Sequence, residues 1–260
     1  MSSSWHGARP RGKFRRGGVF RGIRAALESY SKELEPSSAL VLFDIDGTLI
    51  RRAGEHHRQA LVEAVRRIVG VETTTDNVPV AGMLDRDILT VMMTRAGMKP
   101  AAIRRAMPLV IESAQSIYVR TSPVLERKVC PGVRHALRRI DRRGAVIGLV
   151  TGNLTRIGWR KVERAGIKPY FRFGAFAELA KDRAGLVRIA IRQARREGWI
   201  SRQATISLIG DHPNDVRAAR ANDIRAVAVA TGLIPIEELR THSPDVLLPD
   251  LRSLALEMLF

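Results

Sequence analysis

A doubly wound parallel α/β sheet with an inserted helical cap is the fold this sequence predicts, and three observations carry it. Short apolar runs, rich in Val, Ile and Leu, end in polar, glycine-containing turns at 40–49, 145–153 and 205–215. From residue 131 onward such runs alternate with amphipathic patterns, as in repeated strand–helix units that lie parallel in one sheet. Roughly 70 residues of helical pattern separate the first run from the second, far more than one crossover helix needs, so they read as an insertion.

The elements follow in order. Residues 1–24 hold seven Lys or Arg and no acid, which predicts a solvated tail, and 25–34 have the spacing of one short amphipathic helix broken at Pro36. An Arg/Ser-rich, acid-poor start also resembles an organellar transit peptide, the less favoured reading. The first strand, 40–43, is expected to be buried on both faces. Helices are expected at 56–69 (Leu61, Val65, Ile68), 85–96 (Ile88, Val91, Met92) and 101–118 (Ile103, Met107, Val110, Ile111, Ala114, Ile117), the last kinked or split at Pro108. A helix at 131–143 leads to the strand 145–150, a helix at 154–165 and a short strand within 171–176. The helix 182–197 follows, then the strand 205–209, a helix to 221, the strand 225–230 and a last strand at 246–248. The expected domains are a basic tail (1–36), an α/β core (37–52 and 129–260) and a helical cap (53–128).

Composition narrows the function classes. With 260 residues and 45% apolar content the chain can bury a sizeable core. The single cysteine, Cys130, excludes an intrachain disulfide and is not expected to be catalytic. No run approaches the roughly 18 apolar residues of a membrane helix, so a soluble, cytoplasmic protein with no membrane partner is expected. The net charge of +18 raises nucleic acid as a partner, but it is spread along the chain, and most of the basic residues are arginine. A generally basic soluble protein is therefore preferred, with nucleic acid retained as a partner that is not favoured. Oligomeric state is not readable from these residues.

The ends of the apolar runs carry the chemistry. They read Asp44-x-Asp46-Gly47-Thr48, Thr151-Gly152-Asn153 and Gly210-Asp211-x-x-Asn214-Asp215. In order, each after a buried strand, they resemble the haloacid dehalogenase-like hydrolase superfamily over about residues 38–250. The phrase Asp-Gly-Thr-Leu-Ile, then Ala-Gly and Arg58-x-Ala60-Leu61, together with the helical insertion, is similar to the phosphoglycolate phosphatase-like branch. The resemblance implies that Thr151 donates its hydroxyl to a phosphate oxygen. It also implies a cation ahead of the helix at 182–197, for which Lys181 and Arg183 both fit; the spacing to Leu186 and Val187 does not decide between them, and Lys181 is preferred because an ammonium is the usual group there.

The residue types support the same chemistry. Phosphoryl transfer needs an in-line nucleophile, a proton donor for the departing oxygen and positive charge around the equatorial oxygens. Asp44 can attack phosphorus and form an aspartyl phosphate, while Asp46 protonates the leaving group and then activates water. Several carboxylates beside a phosphate call for a divalent cation. Oxygen ligands from Asp44, the Asp46 carbonyl, Asp211 and Asp215 suit Mg²⁺. Amides at Gly152 and Asn153, at a helix start, can help to bind phosphate. A carboxylate at position 46 favours phosphoryl over dehalogenase chemistry but leaves a sugar-phosphate mutase open, as does a nucleic-acid-binding protein with or without end-phosphatase activity. Further candidates are the loop Gly82-Met83-Leu84-Asp85-Arg86 for substrate, and Arg51, Arg52, His56, His57 and Arg58 for an anion. His212, Trp159, Trp199 and the Met92-Met93 pair are expected to be loop or packing residues.

Overall fold

The computed structural model describes residues 35–51 and 55–260. The expected tail helix at 25–34 and Arg52 lie outside the described residues.

Six parallel strands form one sheet in the order β3-β2-β1-β4-β5-β6: β1 (Ser37–Phe43), β2 (Val146–Val150), β3 (Phe173–Ala175), β4 (Ile200–Gly210), β5 (Arg225–Val229) and β6 (Val246–Leu248). The order runs outward from β1 to β3 and then resumes on the other side of β1 with β4. That reversal leaves a crevice at the carboxyl ends of β1 and β4, where ligands bind in such sheets. Register brings the motifs together there, because Phe43 lies opposite Leu149 on β2 and Ile209 on β4.

Alternation along β1 feeds two apolar layers. Leu40 and Leu42 join one layer with the inserted helices α1 (Glu55–Val69), α2 (Asp85–Arg95) and α3 (Pro100–Thr121) and with α6 (Arg183–Arg196) and α7 (Pro213–Arg220). Val41 and Phe43 face the other layer, built on α4 (Val133–Arg142), part of α5 (Thr155–Arg164) and the C-terminal turns. Both faces of the central strand are thus dry, as its apolar run requires.

Three details differ from the sequence reading. Helix α3 is not split at Pro108, whose ring is exposed, so the carbonyl freed by the missing amide can turn to water. Strand β4 begins at Ile200 rather than 205; Ser201, Arg202 and Gln203 are polar and only partly covered, so no apolar run announces them. A short helix, α8 (Ile236–Thr241), lies between the last two strands, where the sequence reading assigns no element. Among the described residues no helix is long and apolar enough to cross a membrane.

Candidate active site

The chain leaves β1 into Asp44, which is buried, and turns at Gly47, a left-handed glycine with φ 85°. The positive φ is needed, and so is the missing side chain: a Cβ on Gly47 would collide with the Asp211 carboxylate, and so would one on Gly232. Asp211 follows β4 and is fixed by Thr48, whose hydroxyl donates to it at 3.0 Å. Asp215 sits in the first turn of α7. There it accepts from the His212 amide at 3.1 Å, while the His212 ring accepts from Asn214 in a reciprocal cap.

One carboxylate oxygen each from Asp44, Asp211 and Asp215 lie within 4.8 Å of one another, and all three residues are buried. One guanidinium reaches two of them. Arg183 lies 2.5 Å from Asp215 and 3.0 Å from Asp44 and is itself buried. Three carboxylates against one cation leave excess negative charge. Burial and the repulsion of Asp44 and Asp215 push Asp211 well above the usual carboxylate range, and burial pushes Asp215 up to about 6 despite Arg183. A compact, all-oxygen, over-charged donor set of this kind fits a hard divalent cation. Asp46 adds no side-chain oxygen to it.

Asp46 points elsewhere. Its Oδ2 accepts from Asn153 Nδ2 at 2.8 Å and from Lys161 Nζ at 2.6 Å, and 36% of its side chain remains exposed. Burial would raise Asp46, but the Lys161 ammonium, with the hydrogen bond from Asn153 beside it, outweighs burial and holds this carboxyl below its ordinary value. Thr151, fully buried past the end of β2, accepts from Asn153 Nδ2 at 2.7 Å, which leaves its own proton free to donate. Gly152 must lack a side chain because Met83 crosses it: a Cβ there would strike the Met83 carbonyl oxygen.

The structure therefore brings together Asp44, Asp46, Thr151, Gly152, Asn153, Arg183, Asp211 and Asp215. It does not bring Lys181. That residue is exposed, and no ion pair links it to the carboxylates among the described residues. Helix capping is the reason. Asp182 is the N-cap and accepts from Gly185, so Arg183 opens the helix on the face of Leu186 and Val187, whereas Lys181 precedes the cap.

The loop at 82–86 docks on the strand ends: Asn214 Nδ2 donates to Gly82 O at 2.7 Å, and the Asp85 amide donates to Gly152 O at 2.7 Å. Of the basic residues after the first motif, Arg51, His56 and Arg58 are exposed; His57 turns inward, 2.9 Å from Asp85. Cys130 is buried, which pushes its thiol up to about 11 and leaves it unsuited to nucleophilic work.

Lys161 was not anticipated. A readable signal existed: it lies on the face of α5 that carries Ile157, Gly158 and Val162, where a lysine is out of place without a partner.

Comparison with known proteins agrees with this geometry. The family model for haloacid dehalogenase-like hydrolase matches residues 39–223. The chain belongs to that family. It is 26% identical over 223 residues to a phosphoglycolate phosphatase of Pseudomonas putida, covering 83% of this chain and 78% of that protein. A phosphoglycolate phosphatase of Synechococcus elongatus is 27% identical over 158 residues, 60% of this chain and 69% of the relative. Among solved structures, CbbY from Rhodobacter sphaeroides in complex with phosphate has a TM-score of 0.64 at 19% identity, covering 85% of this chain and 98% of that one. A β-phosphoglucomutase from Clostridium difficile has a TM-score of 0.59 at 18% identity, covering 85% and 94%. At such identities the structural likenesses establish the shared fold.

Proposed function

We propose that this hydrolase is a Mg²⁺-dependent phosphomonoesterase acting on a small phosphorylated metabolite, with residues 53–128 as a helical cap over a core of 37–52 and 129–260. The observation that carries the reading is the division of labour at one strand end. Asp44 faces the acidic cluster and Arg183, while Asp46, two residues on and part-exposed, is held through Oδ2 by Lys161 and Asn153.

Asp44, Asp211, Asp215 and the Asp46 backbone carbonyl would hold the cation. When bound, it supplies the positive charge that lets a phosphate approach buried carboxylates. Asp44 attacks phosphorus in line and carries the phosphoryl group as a mixed anhydride. Asp46, ionised in the free site, takes up the proton that a monoanionic ester brings, gives it to the leaving oxygen and then takes one from the water that cleaves the anhydride. Thr151 and the amides of Gly152 and Asn153 hold phosphate oxygens, and Arg183 offsets their charge. The loop 82–86 closes the cleft and excludes bulk water.

The test is a panel of phosphate esters, phosphoglycolate first, assayed with and without Mg²⁺ beside Asp44→Asn. Turnover that needs the cation and falls at least about 10³-fold in the variant is expected. Equal turnover by the variant overturns the nucleophile. Likeness to a β-phosphoglucomutase fold makes phosphate migration the second reading; release of inorganic phosphate excludes it, and migration without release excludes the hydrolase.

A further inference from the structure

The site holds two buried cations, and only one of them faces the acidic cluster. Lys161 has no exposed surface, and its ammonium meets three acceptors: Asp46 Oδ2 at 2.6 Å, Asn153 Oδ1 at 2.6 Å and His57 Nδ1 at 3.2 Å. An ammonium has three protons to give, so none remains for a phosphate oxygen. Arg183 is differently placed, 3.0 Å from Asp44.

The bonds around Lys161 fix more than charge. Asp46 Oδ2 is held by both Lys161 and Asn153 Nδ2, so the carboxylate cannot rotate, and Oδ1 is the oxygen left for a leaving group. His57 accepts from the ammonium through Nδ1, which assigns the proton to Nε2, and Nε2 lies 2.9 Å from Asp85 Oδ2. The same Asp85 oxygen accepts from the Leu154 amide at 2.8 Å. His57 belongs to α1 and Asp85 opens α2, both inserted helices, whereas Leu154 belongs to the core. The third bond of Lys161 thus exists only while the inserted helices are seated on the strand ends.

We infer that Lys161 is a positioning residue for Asp46, and that His57, held by Asp85, makes the orientation of Asp46 depend on the seating of the inserted helices. Lys161 therefore serves the leaving-group side of the cleft and leaves phosphate neutralisation to Arg183. This rests on Asp46 acting as the acid in phosphoester cleavage.

The experiment compares kcat/KM for glycerol 3-phosphate, whose alkoxide must be protonated, with that for 4-nitrophenyl phosphate, whose phenolate leaves unaided. Lys161→Met is expected to lower the first about 100-fold and the second by less than about fivefold. His57→Leu is expected to show the same selectivity at about tenfold, and His57→Gln, which can bond both neighbours, to recover most of it. In a parallel titration with inorganic phosphate, Lys161→Met binds within about threefold of the parent, whereas Arg183→Met weakens at least tenfold. Equal losses on the two esters, or a phosphate affinity that falls as far with Lys161→Met as with Arg183→Met, overturn the inference. Should Lys161→Met not fold, the two His57 variants decide it. A parent chain that hydrolyses neither ester refutes the phosphomonoesterase reading alone, and the phosphate titration then decides the role of Lys161.

Discussion

Asp44 and Asp46 leave the same strand end two residues apart, yet their surroundings are opposite in sign. Asp44 joins two further buried carboxylates, Asp211 and Asp215, and shares the Arg183 guanidinium with the second of them. Asp46 meets a buried ammonium and an amide donor and faces no second carboxylate within hydrogen-bonding reach among the described residues. Position in the sequence cannot cause this, since both follow β1. The turn in which the Leu49 and Ile50 amides donate back to Ile45 O takes Asp46 off the line of the strand that Asp44 follows, so that one meets Asp211, Asp215 and Arg183 and the other meets Lys161 on α5. Two similar carboxylates acquire different chemistry from what the fold packs beside them.

The widest break in this contrast should come from Arg183→Met. The substitution takes the guanidinium away from Asp44 and Asp215 and, among the described residues, leaves the three buried carboxylates without an ion pair. A loss of roughly 10²-fold in kcat/KM is expected, with a fall of about 3 kcal/mol in stability by denaturant titration without added metal. Substitution on the basic half, at Lys161, should instead discriminate between esters as set out above.

A second test uses pH. Asp211 and Asp215 are raised above the ordinary carboxylate value near 3.8, so between that value and their raised ones the folded protein binds more protons than the unfolded chain. Their contribution to metal-free stability is therefore full at low pH and is lost as pH rises through about 6, where Asp215 ionises. A cation that requires both groups ionised reverses the trend. Added Mg²⁺ should raise Tm by about 5 °C at pH 7.5 and by much less at pH 5. A shift that is the same at both pH values would show that the acidic cluster is not the binding site.

The smallest effect should be that of Lys181→Ala. An exposed lysine ahead of the helix cap should change kcat/KM by less than about twofold, which would confine the family's cation to Arg183.

Legibility followed the range of the interactions. The strands ending at Phe43, Val150 and Gly210 were readable because burial on both faces writes a continuous apolar run, and the polar turns after them stand out by contrast. The choice between Lys181 and Arg183 was readable in principle from Asp182 and Gly185, whose cap sets where the helix starts, but offsets to Leu186 and Val187 alone do not fix helix phase. Lys161 was unreadable as a partner of Asp46 because 115 residues separate them and only the packing of α5 brings them together. The pairing of His57 with Asp85 depends in the same way on how α1 and α2 meet.

The inserted helices leave and rejoin the core at one spot. Ile50 forms an antiparallel bridge with Val129, the Arg51 amide donates to Lys128 O at 2.7 Å, and the Cys130 amide donates to Leu49 O at 2.9 Å. A loop already clasped at its neck contributes to folding mainly through a closure entropy that grows only with the logarithm of its length. Added length above the clasp therefore costs the strands little, although the inserted helices share an apolar layer with Leu40 and Leu42. A lineage built on this core can lengthen or trim the part of that block outside the shared apolar layer while the register of the strands stays as it is.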